Sequence, residues 1–428
     1  MKEDFLHYIW KNKKIPTQNI RLTDGTLLTI ESFGTYNTQA GPDIFNARLI
    51  IDGQRWAGNV EMHIKSSHWY AHQHETDPAY ANVILHAVWE HDVEIFGHSQ
   101  KPIPTLELKN IVNKSFTDDY KRLLYAKVHF IPCEKYYQQT DAMTAFAWQE
   151  RLFVERLENK SGRVAALLAQ SDSDWEKVLF LMLLRHLGGA VNGDVFLQAG
   201  KRLDFAVVRK ESTDLLRLEA LFFGICGLLD GDSDEPYRQE LQSEYQYLKH
   251  KYQLGESLKC HFSGLRPQGF PTLRLSQLAM LYHQKKALFS MLVGNPDWHY
   301  FQKNISVKAS PYWDEHYTFG KISKKSTKKW TPAFVSLVWM NVITPVLYLY
   351  QKHLGNDYSE FLSENMRLLP SESNTIVQNF EKLGVKIHSA YDSQVLLQQY
   401  KEYCVNRRCM QCSVGVNLLN FNKLNTRE

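Results

Sequence analysis

Up to about residue 110 the apolar positions fall into short strand-like runs, each closed by Gly, Asn or Asp. These runs lie at residues 26–30, 45–51, 60–65, 83–90 and 105–108. Asp52-Gly53, between the second run and the third, is a hairpin signal, because both residue types tolerate the positive φ angles of a tight turn. Residues 5–12, ahead of the runs, read as a helix. Asp77-Pro78-Ala79-Tyr80 reads as a second helix start with Pro in its first turn. The order helix, three strands, helix, strand predicts a small α/β core over residues 1–130. From about residue 115 apolar positions recur at helical spacing, as in 145–169 and 175–187, with polar loops at 230–235 and 320–329. Residues 131–395 are therefore expected to form a mostly α-helical domain. The last segment, 396–428, returns to short apolar runs and is expected to dock as a cysteine-rich tail on the core or on the helical domain.

A chain of 428 residues exceeds what one ordinary core serves, which agrees with this division. With 44% hydrophobic and 22% charged residues it is not a largely disordered chain. A net charge of +4 says little about partners, so any nucleic-acid surface has to be a local patch. The N-terminal MKEDFLHYIWKNKK lacks the apolar stretch of a signal peptide. The longest apolar run, 334–350, contains Ser336, Asn341 and Pro345 and is short for a membrane span, so a buried helix or helix pair is expected there. A cytoplasmic location without a membrane partner follows as the expectation. Six cysteines without a secretory signal point to thiols or metal ligands over disulfides.

Candidate chemistry begins at Gly41-Pro42-Asp43, just before the second strand run, and Glu61-Met62-His63, inside the third. If these runs pair through Asp52-Gly53, Asp43 and Glu61 meet at the open end of the hairpin. Two carboxylates held together repel unless a cation lies between them. Such a pair is either a salt-bridged structural site or a divalent-metal site.

This order of elements, with Pro42-Asp43 and Glu61-Met62-His63 in the meander, resembles the core of the PD-(D/E)XK phosphodiesterase superfamily, the restriction-endonuclease-like nucleases. The resemblance implies a mixed sheet with flanking helices and Mg²⁺ or Mn²⁺ held by Asp43 and Glu61, with the Met62 carbonyl as a further oxygen. It also implies hydrolysis of nucleic-acid phosphodiester bonds by a metal-bound water. His63 stands where the superfamily usually places a lysine. An imidazole with a pKa of about 6.5 can act as general base, and Lys65, on the same strand face, can supply the missing cation. The chain as a whole also resembles an uncharacterised bacterial protein family that shares the Gly-Pro-Asp, Val-Glu-x-His and C-terminal cysteine features.

Three further groups bear on the chemistry. Seven of the 17 histidines lie between His63 and His98. Of these, His72 and His74 either contact substrate beside Asp43 and Glu61 or, with Asp77 and His86 or His91, bind zinc. They point the same way only if their segment is extended. Cys404-x4-Cys409-x2-Cys412 has metal-type spacing, with Cys133 as the fourth ligand, and zinc, an iron–sulfur cluster or free thiols all fit it. Some nucleases of the superfamily hold an iron–sulfur cluster with one distant and three C-terminal cysteines, a similar arrangement. Arg266 and Arg274 flank a Pro/Gly turn, and residues 321–329 carry five lysines, Lys324 and Lys325 among them. Both segments suit phosphate contacts. A metal-dependent nuclease is the leading expectation. The alternatives are a catalytically inactive nucleic-acid-binding or assembly protein on the same fold, and a zinc-dependent hydrolase built on His72 and His74.

Overall fold

Helix α1 (Glu3–Lys11) opens the chain with Glu3 and Asp4 in its first turn and Lys11 in its last, charges that complement the helix dipole. It turns Phe5, Leu6, Ile9 and Trp10 inward, all fully buried. The computed structural model to which it belongs describes residues 1–37, 39–125, 127 and 129–420. Strands β1 (Ile20–Arg21), β2 (Leu27–Ser32), β3 (Thr35–Tyr36) and β4 (Ile44–Ile51) follow, and then β5 (Gln54–Lys65). Asp52 and Gly53 take positive φ angles of 50° and 75° and close β4 onto β5 with Ile51 opposite Gln54. This is the tight turn their residue types favour.

Past the hairpin, α2 (His68–Ala71) and a single 3₁₀ turn at Pro78–Tyr80 lead into β6 (Val83–Glu90), and β7 (Thr105–Glu107) follows. The sheet order is β1-β2-β4-β5-β6-β7, with β3 on the free part of β4. Pairings up to β5 are antiparallel, whereas β5–β6 and β6–β7 are parallel. β5 changes character along its length. Gln54–Ala57 are exposed in the hairpin arm, while residues 58–63 are buried between β4 and β6. Gly58 marks the change, since a Cβ there would stand 2.5 Å from Ile84 and 2.8 Å from the Asn82 carbonyl. The expected helix at Asp77 is only that 3₁₀ turn, capped by the Asp77 carboxylate. The α-helical turn sits earlier, at 68–71, and is too short to show a periodicity.

Helices α3 (Lys114–Tyr125), α4 (Ala142–Ala169) and α5 (Trp175–Arg202) come next. α5 is interrupted at Gly189, whose φ of 59° and ψ of −147° are not helical. The chain divides into two units. The first holds 1–150, 378–385 and 397–428, and the second holds 151–377 and 386–396. The division falls inside α4 and not at residue 130, and residues 397–420 belong with the sheet. Within the first unit the Tyr8 hydroxyl donates to Asn420 and the Arg407 guanidinium to the Leu124 carbonyl.

The second unit is built from α5 and further helices, among them α6 (Phe205–Glu211), α7 (Leu215–Ile225), α8 (Pro236–Lys251) and α9 (Pro271–Gln284). A two-stranded hairpin, β8 (His316–Thr318) and β9 (Lys321–Ile322), occupies part of the segment expected to be a plain loop. The apolar run near 340 is one continuous helical stretch, Pro332–His353, with a π-helical turn at Trp339–Ile343 just before Pro345. At 22 residues it is longer than expected. It and Trp175–Arg202 are long and apolar enough to cross a membrane by length and composition, and 72% and 61% of their apolar windows are buried inside the protein.

Candidate metal centre

Ile44 pairs with Val60, so Asp43, at the mouth of β4, stands beside Glu61 on β5. Each acid accepts from the other strand's backbone. The Asp43 N–H donates to Glu61 Oε2 at 3.1 Å, and the Met62 N–H donates to Asp43 Oδ2 at 3.0 Å. His7 Nε2, from α1, lies 3.2 Å from the same Asp43 oxygen, and the Tyr36 hydroxyl lies 3.3 Å from His7 Nδ1. Burial opposes a charged His7, but the hydrogen bond and charge of Asp43 outweigh it and the pKa is raised. The sequence reading missed His7. The one available signal was an imidazole beside the apolar residues of an otherwise amphipathic helix.

Glu61 offers its other oxygen to the histidines. Oε1 is 3.4 Å from His74 Nε2 and 3.7 Å from His63 Nε2. His63 is central, with Nδ1 2.8 Å from His86 Nε2 and Nε2 3.0 Å from His72 Nδ1. One nitrogen each of His63, His72 and His74 lies within 4.8 Å of the others. The segment is not extended, as the sequence reading required. Gln73 adopts φ of 61°, a left-handed conformation uncommon for a residue with a Cβ, and this folds His74 back beside His72. Trp69, fully buried with Val83, Ile95 and Ile103, fixes the segment from below, and its indole N–H donates to the Phe96 carbonyl at 3.2 Å.

The electrostatics follow from that crowding. Burial, and then the neighbouring His86, His72 and His74, push the His63 pKa down to about 2. Burial first and His74 next push His86 down to about 3. Both ring nitrogens of His63 are engaged, so the general base of ordinary pKa expected from the sequence is replaced by a buried neutral imidazole. Glu61 is raised, by burial first and further by Asp43, against the opposing influence of the nearby His74 ring. Tyr80 stacks on the His74 ring at 3.7 Å, and burial with the charges of Glu61 and Asp43 raises its hydroxyl to about 12. Lys65 does not supply the missing cation to the acidic pair. Its ammonium lies 4.0 Å from Asp92, a carboxylate already held by the Ser66 and Ser67 hydroxyls.

The four cysteines singled out in the sequence lie near one another. Cys133, Cys404, Cys409 and Cys412 are all buried, outside any disulfide, within the first unit. Burial, and then the charges of Cys404, Cys412 and Cys409, raise the Cys133 thiol well above its ordinary range, so the four share one neighbourhood. Cys226 and Cys260, in the second unit, form a separate hydrogen-bonded pair.

The proposed phosphate contacts also lie in the second unit. Arg266 is exposed, but Arg274 is in the first turn of α9. Its guanidinium covers the Phe334 ring at 3.9 Å and donates to Gln277 Oε1 at 3.1 Å, and burial lowers its pKa to about 10. That is the setting of a packed structural arginine, in place of the open fork expected. Lys324 and Lys325 are exposed, with Lys325 3.1 Å from Glu315, whereas Lys328 is buried and donates to the Asp314 and Ser326 carbonyls.

Comparison with known proteins adds the family and no function. No curated protein and no solved structure shows a significant match to the chain. A family model described as "Protein of unknown function (DUF2851)" matches residues 3–375, which include His7, Asp43, Glu61 and every histidine of the cluster and end before Cys404. The chain belongs to this family of proteins of unknown function.

Proposed function

We propose that the chain is a metal-dependent phosphodiesterase acting on nucleic acid, with Asp43 and Glu61 as the acids that hold the ion. The observation that carries this reading is the crossed pair of backbone hydrogen bonds that links Asp43, at the start of β4, to Glu61 and Met62 within β5. The order of α1, the meander β2-β4-β5, the single turn α2 and β6 supports the reading, because the resemblance implies helix, three strands, helix and strand. The donor set fits a hard divalent cation, because a buried glutamate beside an aspartate is held towards its protonated form until positive charge arrives. When bound, Mg²⁺ or Mn²⁺ supplies Lewis acidity and an activated water. Around it, His7, whose protonated form Asp43 favours, is placed to neutralise a phosphate oxygen. Asp43 itself is oriented by the Met62 N–H. The buried thiols of Cys133, Cys404, Cys409 and Cys412 are proposed as a second, structural metal-type set, for zinc or an iron–sulfur cluster, that fastens residues 397–420 within the first unit.

The test is cleavage of labelled single- and double-stranded DNA and RNA by the purified chain with Mg²⁺ or Mn²⁺. Metal-dependent cleavage that falls at least about 10²-fold in Asp43→Ala is expected, the scale of losing one preorganised charged group at a reacting centre. No cleavage of any of these substrates in either metal would overturn the reading. Salt-sensitive nucleic-acid binding that needs no metal and survives Asp43→Ala would instead select an inactive binding protein, a reading favoured by the burial of His63 where a lysine is usual.

A further inference from the structure

We infer that the chain has a site for a first-row transition-metal ion, with zinc as its expected occupant, held by Glu61 Oε1, His63 Nε2, His72 Nδ1 and His74 Nε2. This site goes beyond the carboxylate ion of the phosphodiesterase reading and does not depend on it. Glu61 faces both ways, with Oε2 towards Asp43 and Oε1 towards the histidines.

Distance is the first argument. Around a tetrahedral zinc with Zn–N bonds of about 2.0–2.1 Å, neighbouring donors stand about 3.4 Å apart. The separations here are 3.0 Å between His63 and His72, 3.4 Å between His74 and Glu61, and 3.7 Å between His63 and Glu61. Donor chemistry is the second. Three imidazole nitrogens and one carboxylate oxygen suit zinc and its neighbours in the first transition row, not Mg²⁺, which takes oxygens.

The surroundings supply the rest. His74 is buried, yet neither of its ring nitrogens has a hydrogen-bond partner of good geometry, a costly state for a polar ring unless something else takes its lone pair. His63 has the outer support that metal-bound histidines use. If Nε2 turns its lone pair to the ion, Nδ1–H donates to His86 Nε2, which orients the ring. His86 is fully buried and makes no hydrogen bond at its own Nδ1, which would then carry the proton. Finally, the left-handed Gln73 that aims His72 and His74 at one point is backbone strain in a short surface segment, of the kind retained where geometry serves a site.

The experiment uses the full chain without an affinity tag, stripped with chelator and reconstituted with Zn²⁺, or with Co²⁺ as a visible reporter. Metal content and the cobalt ligand-field absorption are read on the wild type and on four variants. His72 is exposed, so His72→Ala leaves the core intact, and His72→Ala/His74→Ala is checked for folding by circular dichroism. One equivalent of zinc that is weakened at least 10-fold in His72→Ala and lost in the double variant is expected, in addition to any zinc held by the cysteines. The same equivalent should be kept in Asp43→Ala and in Cys409→Ser/Cys412→Ser. Absence of any tetrahedral cobalt spectrum would overturn the inference, as would one that survives the double histidine variant and vanishes with the cysteines. Neither result would bear on the phosphodiesterase reading, whose failure shows only in cleavage.

Discussion

Two buried glutamates, one in each unit, show the same direction of pKa shift and opposite surroundings. Glu219, on α7, is almost fully buried and raised by desolvation, and it faces the hydroxyls of Tyr237, Ser276 and Ser310 and the indole of Trp313. Every one of these is a neutral donor, and Tyr237 hydrogen-bonds directly to Oε2. Its Oε1 and the Trp313 indole make no hydrogen bond of good geometry, but nothing beside it is an anion or an imidazole, so a protonated carboxyl sits there without calling for an ion. Glu61 is raised by desolvation too, but it faces a second carboxylate and two imidazoles at 3.4 and 3.7 Å. Those neighbours are a second anion and imidazoles that can each turn a lone pair inward, a set that a cation would complete. A buried acid with a shifted pKa is therefore not by itself a functional site. What separates the two is whether the partners donate protons or electron pairs.

The largest way to break the comparison is to remove what holds the histidine segment in place. Trp69→Ala deletes a fully buried indole and is expected to destabilise the first unit by about 3–5 kcal/mol. Denaturant unfolding measures that loss, and metal binding at the histidines should weaken with it. A fully stable variant would mean that the 66–82 segment is held by something other than Trp69.

Replacing the acids themselves separates the two sites more sharply. Glu219→Ala should cost about 1–3 kcal/mol by leaving buried donors unpaired, while Glu219→Gln should cost less and change no metal affinity. Glu61→Gln should leave metal-free stability close to wild type or above it, because the buried charge disappears, and yet abolish metal-dependent stabilisation. Thermal unfolding with and without divalent ions distinguishes these outcomes. Equal responses from the two glutamine variants would remove the distinction drawn here.

The smallest effect is in pH. Glu219 has a folded pKa raised above its ordinary 4.5, so its contribution to stability is fully present below that value and is lost as pH rises through the folded pKa. Glu219→Gln should flatten this part of the profile. Metal-free Glu61 has the same sign. With an ion bound the sign at Glu61 reverses, because ligands must be deprotonated and a rising pH then strengthens the folded, loaded state. Melting temperatures across pH, in chelator and in metal, read both slopes.

How much of this was legible in the sequence depends on how local each feature is. The Asp52-Gly53 turn, the strand runs and the adjacency of Asp43 and Glu61 rest on short-range chemistry and period-two patterning. The first half of β5 escaped notice because Gln54–Ala57 are exposed and show no polar–apolar alternation, paired only by the hairpin. His7 reaches Asp43 from 36 residues upstream, a contact set by how α1 packs on the sheet and not by spacing. The meeting of His72 and His74 hangs on one left-handed residue, Gln73, which no propensity indicates. Arg274 looked like an open anion fork because nothing in its own segment shows that it lies in the first turn of α9 with its guanidinium over Phe334.

Anomalous diffraction from crystals grown with Mn²⁺ or Zn²⁺ tests the central distinction most directly. The account predicts a peak within about 2.0–2.2 Å of a Glu61 oxygen, shared with Asp43 or with the histidines, and none at Glu219. Saturating metal with no peak at Glu61, or with peaks confined to other parts of the chain, would contradict it.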